Sequence, residues 1–364
     1  VPPFAPEPHF LHGQAPRTAI LFVNLGTPDA ADAPSVRRYL AEFLSDPRVV
    51  EIPPLAWKPI LHVIILRTRP RASARKYAKV WLPEGSPLAV WTRKQSEMLA
   101  GWLADHGHQV LVRHAMRYGN PSVASQLDAL KAEGATRILI LPAYPQYSGT
   151  TTASVADAVF DWGKRQRHLP ELRFVHRYHD DSGYIAALAE RVESHWREHG
   201  RGEKLVLSFH GVPARTLELG DPYHCECLKT ARLLASELGL HAQDVLVTFQ
   251  SRFGRAKWLE PYTQPTIEAL ARAGTKRIDV MCPGFTSDCL ETLEEIDMEV
   301  REAFISNGGE AFHYIPALND SQRWIAALAA IAQQHLAGWP TRLPADEREL
   351  QASAARAHEK GAPR

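Results

Sequence analysis

Two short stretches carry the residues best suited to chemistry. In Val206-Leu207-Ser208-Phe209-His210-Gly211-Val212-Pro213 one histidine ends an apolar run, beside a glycine and ahead of a proline. In Pro283-Gly284-Phe285-Thr286-Ser287-Asp288 a loop opens into a helical pattern whose acids fall at Asp288, Glu291, Glu295, Glu299 and Glu302. Steps of three and four place these carboxylates on one helical stripe. Leu290, Leu293, Ile296, Val300 and Phe304 make a second stripe, which packs inward. Like charges so spaced repel, so the acidic stripe costs stability unless water or cations answer it. An imidazole near a ladder of carboxylates suits a divalent metal ion or the movement of protons. Alone, His210 reads as a core histidine bonded to a carbonyl and the stripe as a solvated face. The strand-end position, Gly211 and the acidic helix together favour a site. Glu299 and Glu302 fit a plain surface equally well.

Those two stretches need a frame. Apolar runs suited to buried parallel strands recur at Thr18–Asn24, Gln109–Ala115, Arg137–Leu141, Arg173–His176, Lys204–Phe209, Asp244–Phe249, Arg277–Met281 and Ala311–Tyr314. Between them lie helical patterns at 35–44, 93–106, 122–132, 151–165, 184–199, 227–238, 265–273, 288–306 and 321–337. Such alternation predicts an α/β protein with parallel sheets covered by helices. The halves also resemble each other. Ala129-Leu130-Lys131-Ala132-Glu133-Gly134-Ala135-Thr136-Arg137-Ile138 returns as Ala269-Leu270-Ala271-Arg272-Ala273-Gly274-Thr275-Lys276-Arg277-Ile278, and Val23-Asn24-Leu25-Gly26-Thr27-Pro28 parallels Ser208 to Pro213 with Leu25 in the place of His210. The expected architecture is two similar doubly wound, Rossmann-like domains, 17–180 and 181–320, facing a central cleft. Ligands in such folds sit beyond the carboxyl ends of the strands. A helix over 321–340, a tail over 341–364 (a frayed helix or disordered) and a disordered N-terminal arm over 1–16 complete the expected layout.

Composition narrows the class. A chain of 364 residues with 45% hydrophobic and 23% charged residues is an ordinary globular protein of about two domains. A net charge of +1 gives no reason to expect nucleic acid as a partner. Neither G-x-G-x-x-G nor G-x-x-x-x-G-K-[ST] occurs, so no nucleotide partner is expected. No apolar run is long enough to span a bilayer, and Val1 to Pro16 lacks a secretory pattern. The cysteines are Cys225, Cys227, Cys282 and Cys289, without C-x-x-C, so reduced thiols in the cytoplasm are expected. His224, Cys225 and Cys227 cluster three donors without a fourth, a weak metal signal.

Six motifs in order along the chain resemble the ferrochelatases, enzymes that insert ferrous iron into a porphyrin. They are Asn24-Leu25-Gly26-Thr27-Pro28, Gly85-Ser86-Pro87-Leu88, Ala115-Met116-Arg117-Tyr118-Gly119-Asn120-Pro121, Leu141-Pro142-Ala143-Tyr144-Pro145-Gln146-Tyr147-Ser148, Ser208 to Pro213, and Pro283 to Glu295. The resemblance implies a chelatase-like fold and a last step of haem biosynthesis, Fe2+ and protoporphyrin IX giving protohaem and two protons. It makes His210 the active-site histidine and Glu291 the glutamate facing it. His210, Glu291 and Glu295 are the implied metal contacts, with Glu299 continuing the line. Asn24, Leu25, Arg117, Tyr118 and Trp258 line or edge the implied porphyrin pocket. Arg117 and Tyr118 also have a bland reading, a strand-end salt bridge and a packed ring. Leu25 stands where the coproporphyrin-using branch has tyrosine, which favours protoporphyrin IX over coproporphyrin III. Cys289 stands where animal relatives have histidine. No cysteine follows Cys289, so no iron–sulfur cluster and no cofactor beyond the substrate metal are expected. Pro53 to Arg71 matches an apolar lip over the porphyrin mouth, although its pattern equally suits a buried helix. Its Lys58, Arg67, Arg69 and Arg71 would touch anionic headgroups in a peripheral membrane contact. Competing readings are another tetrapyrrole chelatase and a non-catalytic haem- or metal-binding protein.

Overall fold

The eight apolar runs become two four-stranded sheets, every neighbouring pair parallel. The computed structural model describes residues 4–8, 12–254, 256–342 and 347–362. The first sheet holds β1 (Arg17–Thr27), β2 (Leu111–Gly119), β3 (Ala135–Pro142) and β4 (Glu171–Phe174) in the order β2-β1-β3-β4. The second holds β5 (Lys204–His210), β6 (Val245–Gln250), β7 (Arg277–Met281) and β8 (Ala311–Ile315) in the order β6-β5-β7-β8. The two sheets therefore share one winding, as the internal repeat predicts. In each copy of the repeat a helix, Val123–Ala132 or Thr263–Arg272, stops just before a glycine in the left-handed region, Gly134 at φ +87° and Gly274 at φ +99°. Only glycine takes that conformation without strain, which fixes the turn into the strand.

Helix boundaries shift for local reasons. The helix expected at 93 begins at Pro87 and runs to Asp105, because Ser86 Oγ accepts from the Ala89 N–H at 3.2 Å and Pro87 has the first-turn φ built in. The stretch 53–71 forms part of one continuous helical run over 54–80, in which Ile60–Ile65 is π-wound just after Pro59. Of this run Leu61 and Leu66 are buried, whereas Leu55, Val63 and Ile64 stand exposed. The tail contains a helix, Glu347–Glu359. The arm expected to be disordered is docked over residues 4–8: Glu7 pairs with Lys131 and accepts from the N–H groups of Arg167 and His168 at 2.8 and 2.9 Å. Residues 1–3 and 9–11 of that arm, and 343–346 and 363–364 of the tail, lie outside the described residues.

The halves are less separate than two domains would suggest. One core joins Ile20, Phe22, Leu139 and Leu141 of the first sheet to Leu205, Leu207, Phe209 and Met281 of the second, through Tyr184 and Trp324. The helix Gln322–Leu336 returns to the first sheet, where Thr18 Oγ1 donates to the Pro340 carbonyl at 2.6 Å and Trp339 Nε1 to Glu171 at 2.8 Å. Gln95 Nε2 donates to the carbonyls of Thr286 and Asn319, both at 2.8 Å, and Thr286 Oγ1 to the Ala143 carbonyl at 3.0 Å. These bonds fix the walls of the cleft against each other. All four cysteines are free thiols. No helix among the described residues is long and apolar enough to cross a membrane.

Candidate active site

A cavity of about 770 Å³ opens beyond the carboxyl ends of both sheets, within the size range of small-molecule sites. His210, Gly211 and Val212 enter it from the end of β5, Asn24 and Leu25 from β1, Ala143 and Tyr144 from the end of β3, and Phe285 to Ser287 with Cys289 to Glu291 from the segment after β7. This is where a 2-1-3-4 winding leaves a crevice, at the point where strand order reverses.

His210 is the last residue of β5 and is half-buried. Its Nδ1 lies 2.6 Å from the Gly211 carbonyl oxygen. A carbonyl can only accept, so this bond assigns the proton to Nδ1 and leaves the lone pair on Nε2. Tyr223 Oη donates to the His210 carbonyl at 2.9 Å and fixes the backbone. Gly211 cannot be larger. A Cβ there would lie 2.7 Å from the Gln250 carbonyl oxygen and 3.0 Å from the Trp258 ring. Trp258 thus packs on the glycine and lines the cavity beside the histidine.

The acidic stripe divides into separate roles. Residues Glu291–Val300 are π-wound and continue as the α-helix Arg301–Ser306. A π turn takes in more residues than an α turn, so acids four apart come closer to superposing; such turns recur at functional sites. Glu291 sits in the first turn, where the helix dipole favours a carboxylate, and lines the cavity with His210. Glu295, one turn deeper, is not on the cavity wall. It accepts from the Ser251 N–H at 2.7 Å and from the Ser251 hydroxyl at 2.5 Å. Burial raises its pKa above the ordinary value, although Ser251 and His210 pull the other way. Ser251 itself holds φ +63°, a strained conformation for serine. Glu299 pairs with Lys76 at 2.7 Å, and Glu302 is exposed on the α-helical continuation.

Asp288 departs from the expected stripe. It lies before the helix, buried, bonded by the Tyr314 hydroxyl, by Asn319 Nδ2 at 2.6 Å and by Thr292 Oγ1 at 3.0 Å. It fastens the loop that carries Glu291. Glu294, which the stripe pattern leaves out, is only 1% exposed and receives Lys76 at 2.8 Å and Lys79 at 3.0 Å. The cations that answer the acidic helix therefore come from the run 54–80, and no sequence spacing links residues more than 200 positions apart.

The remaining expected pocket residues separate into two groups. Asn24, Leu25 and Trp258 line the cavity. Asn24 is oriented by its own bonds: Nδ2 donates to Thr92 Oγ1 at 2.9 Å while Oδ1 accepts from the Leu25 N–H at 2.9 Å. Arg117 and Tyr118, expected to line or edge the pocket, are not among the lining residues. Arg117 Nη2 meets Asp46 at 2.6 Å and its Nε meets the Ser154 hydroxyl at 2.7 Å, while the Tyr118 hydroxyl lies 2.7 Å from Asp46. The guanidinium is consumed internally, as in the bland reading. Arg48, Arg215 and Lys257 are cations that do line the cavity. Nothing near them in the chain marks this, since each is an unremarkable surface-type residue in its local pattern.

The lining offers one lone-pair imidazole nitrogen, that of His210, and the carboxylate of Glu291, with Glu51 and Glu218 also on the wall of an otherwise mostly apolar cleft. Among the described residues, His210, Glu291 and Glu295 do not form a three-ligand metal cluster. Two mobile-exchange donors without a closed cage suit a metal that must be handed on. Comparisons agree with this chemistry. Residues 17–336 match the ferrochelatase family model. The chain is 67% identical over 365 residues to a ferrochelatase of Polaromonas sp. (strain JS666), covering 99% of this chain and 100% of that one. It is 66% identical over 358 residues to a ferrochelatase of Methylibium petroleiphilum, covering 98% and 99%. Among solved structures, SirB from Bacillus subtilis with Fe3+ superposes with a TM-score of 0.53 at 14% identity, over 89% of this chain and 99% of that one, a likeness of fold. The chain belongs to the ferrochelatase family, the metal-insertion enzymes.

Proposed function

We propose that this ferrochelatase inserts Fe2+ into protoporphyrin IX, with His210 and Glu291 as the catalytic pair. The observation that carries the reading is that the Nε2 lone pair of His210 and the carboxylate of Glu291 share one mostly apolar cavity. The flat macrocycle is held by apolar walls that include Leu25 and Trp258. Two N–H protons leave the ring as the metal enters. Nε2 of His210 accepts one of them and the Glu291 carboxylate is the acceptor for the other. Glu291 supplies an anionic partner to the iron at a helix N-terminus, and Glu295 stands behind it as a carboxyl tied to Ser251. The ring's propionates turn to Arg48, Arg215 or Lys257, whose surface ion pairs with Asp157, Glu51 and Glu260 cost little to exchange. Leu25 at the wall favours protoporphyrin IX over coproporphyrin III, whose additional propionates would need cations in place of apolar contact. No cofactor beyond the substrate metal is required by this scheme.

We also propose a peripheral membrane contact through the run 54–80. Leu55, Ile60, Val63 and Ile64 are exposed there beside Lys58, Arg67, Arg69 and Arg71. Free thiols and this surface fit a cytoplasmic protein that touches a bilayer.

Anaerobic incubation of the protein with Fe2+ and each porphyrin, without nucleotide, tests the reading. Protoporphyrin IX should give haem well above the spontaneous rate, with a higher kcat/KM than coproporphyrin III. Folded protein giving only the spontaneous rate would end the proposal of catalysis; a preference for coproporphyrin III would overturn the role given to Leu25.

A further inference from the structure

A second group of donors lies away from the cleft. His195 on the helix Ser182–His199, Asp279 on β7 and His313 on β8 bring ligand atoms within 4.8 Å of one another. The sheet separates them from the cavity helix: Ile278 and Val280 of β7 pack with Ile296 and Val300, whereas Asp279 meets Trp196 on the other side.

Asp279 is an odd residue for its place. The middle of a parallel strand covered on both faces ordinarily holds aliphatic side chains. Here a carboxylate is 1% exposed. Its Oδ2 accepts from Trp196 Nε1 and from the Gly202 N–H, both at 2.7 Å. Gly202 permits this approach, since a Cβ there would stand 3.0 Å from Asp279 Oδ2. The other oxygen, Oδ1, has no hydrogen-bond partner, and neither has Nε2 of His195, whose residue is 9% exposed. The two unsatisfied atoms lie 3.9 Å apart, and His313 Nδ1 is 3.4 Å from the same Oδ1.

A buried carboxylate oxygen without a partner costs stability. These separations are too long for good hydrogen bonds yet close to what one metal ion would impose. Bonds of about 2.0–2.2 Å at tetrahedral angles hold ligand atoms about 3.3–3.6 Å apart. Two imidazoles and one carboxylate with an open position suit Zn2+ or Fe2+ rather than Mg2+. The hydrogen bonds to Oδ2 supply the outer contacts that orient a ligating carboxylate. Two groups oppose or flank the site. Arg277 Nη2 lies 3.2 Å from His313 Nδ1, but that guanidinium is also tied to the carbonyls of His199 and Gly200 and keeps them if it yields the contact. His199 stands at the solvent side, its ring 4.6 Å from that of His195.

We propose that His195, Asp279 and His313 bind a divalent transition-metal ion outside the porphyrin cleft, stapling the helix Ser182–His199 to β7 and β8. The site is separate from the insertion site, so the experiment removes the latter first. Tag-free His210→Ala/Glu291→Gln protein is titrated with Co2+, read by its visible absorption, and with Zn2+ by calorimetry. One equivalent should bind with Co2+ absorption in the range of a four-coordinate N/O site, and Zn2+ should raise the melting temperature while Mg2+ does not. Adding His313→Gln, at a half-buried position that leaves the core intact, should weaken binding at least tenfold and abolish the Zn2+-dependent rise in melting temperature. His195→Gln should do the same. Absence of any bound ion in the cleft-disabled protein, or binding unchanged by His313→Gln and His195→Gln in folded protein, would overturn the proposal.

Discussion

The Nδ1 of His210 and the carbonyl oxygen of Gly211 stand 2.6 Å apart, a bond between chain neighbours that turns the basic nitrogen outward. Because the bond is local, the ring contributes little to the fold. His210→Ala is expected to cost about 0.5–1.5 kcal/mol of stability and to lower kcat by roughly 10²–10⁴-fold. Porphyrin binding, followed by tryptophan quenching, should change only a few-fold, since most of the cavity is apolar. Binding and turnover lost in equal measure would make the histidine a wall residue.

Glu291 and Glu294 are three residues apart and should respond oppositely. Glu291→Gln removes a cavity carboxylate and relieves repulsion, so stability should hold or rise by roughly 0.2–0.5 kcal/mol per relieved pair, while activity collapses. Glu294→Gln strands Lys76 and Lys79 at a buried partner. It should cost about 1–3 kcal/mol by denaturant unfolding, with kcat nearly unchanged. A Glu291→Gln protein that unfolds more readily yet retains normal turnover would reverse these assignments.

Glu295 sets a pH signature. Burial raises its pKa on folding, so the folded state holds that proton more tightly. Its contribution to stability is full below the unfolded carboxyl value of 4.5 and is lost as pH rises through the higher folded value. Glu295→Gln mimics the protonated form and can still accept from Ser251. The stability difference between variant and parent should therefore move in the variant's favour as pH is raised upward from 4.5. Unfolding curves across that range check it; a difference independent of pH would mean the carboxyl is not raised.

Arg117 acts on Asp46. Burial, which raises the Asp46 pKa, is outweighed by hydrogen bonds from Ser154, Tyr118 and the Arg48 N–H and by the Arg117 charge, and the carboxyl lies below its ordinary value. Stability from this acid is present above the unfolded value and lost as pH falls through the folded one. Arg117→Ala should cost about 1.5–3 kcal/mol at pH 7 and less in acid. KM for porphyrin should stay nearly constant, whereas Arg215→Ala should raise it. A large KM increase for Arg117→Ala with stability intact would instead make Arg117 a direct contact of the porphyrin.

Patterns with short period were the legible part of this chain. The eight strands, the internal repeat and the placement of His210 and Glu291 at strand ends follow from alternation, glycine stops and spacing within a few residues. Asp288 was misplaced because a step of three reads as helix, although its loop is held by Tyr314 of β8 and by Asn319 just beyond that strand. Ser251 and the lysines of Glu294 were invisible for a related reason: their partners are distant in sequence and carry no local mark. Arg117 was read as a ligand contact because nothing near it in the chain reveals Asp46.

The return of the helix Gln322–Leu336 has a consequence for how the molecule is made. The first strand, β1, meets its final partner, Pro340, across 322 positions of sequence. During synthesis the first half emerges with Ile20, Phe22, Leu139 and Leu141 lacking the helix that will cover them. Contacts of such long separation close late and slowly. The nascent first half must therefore wait, partly uncovered, until nearly the whole chain has left the ribosome, the interval in which it is most open to aggregation and to chaperones.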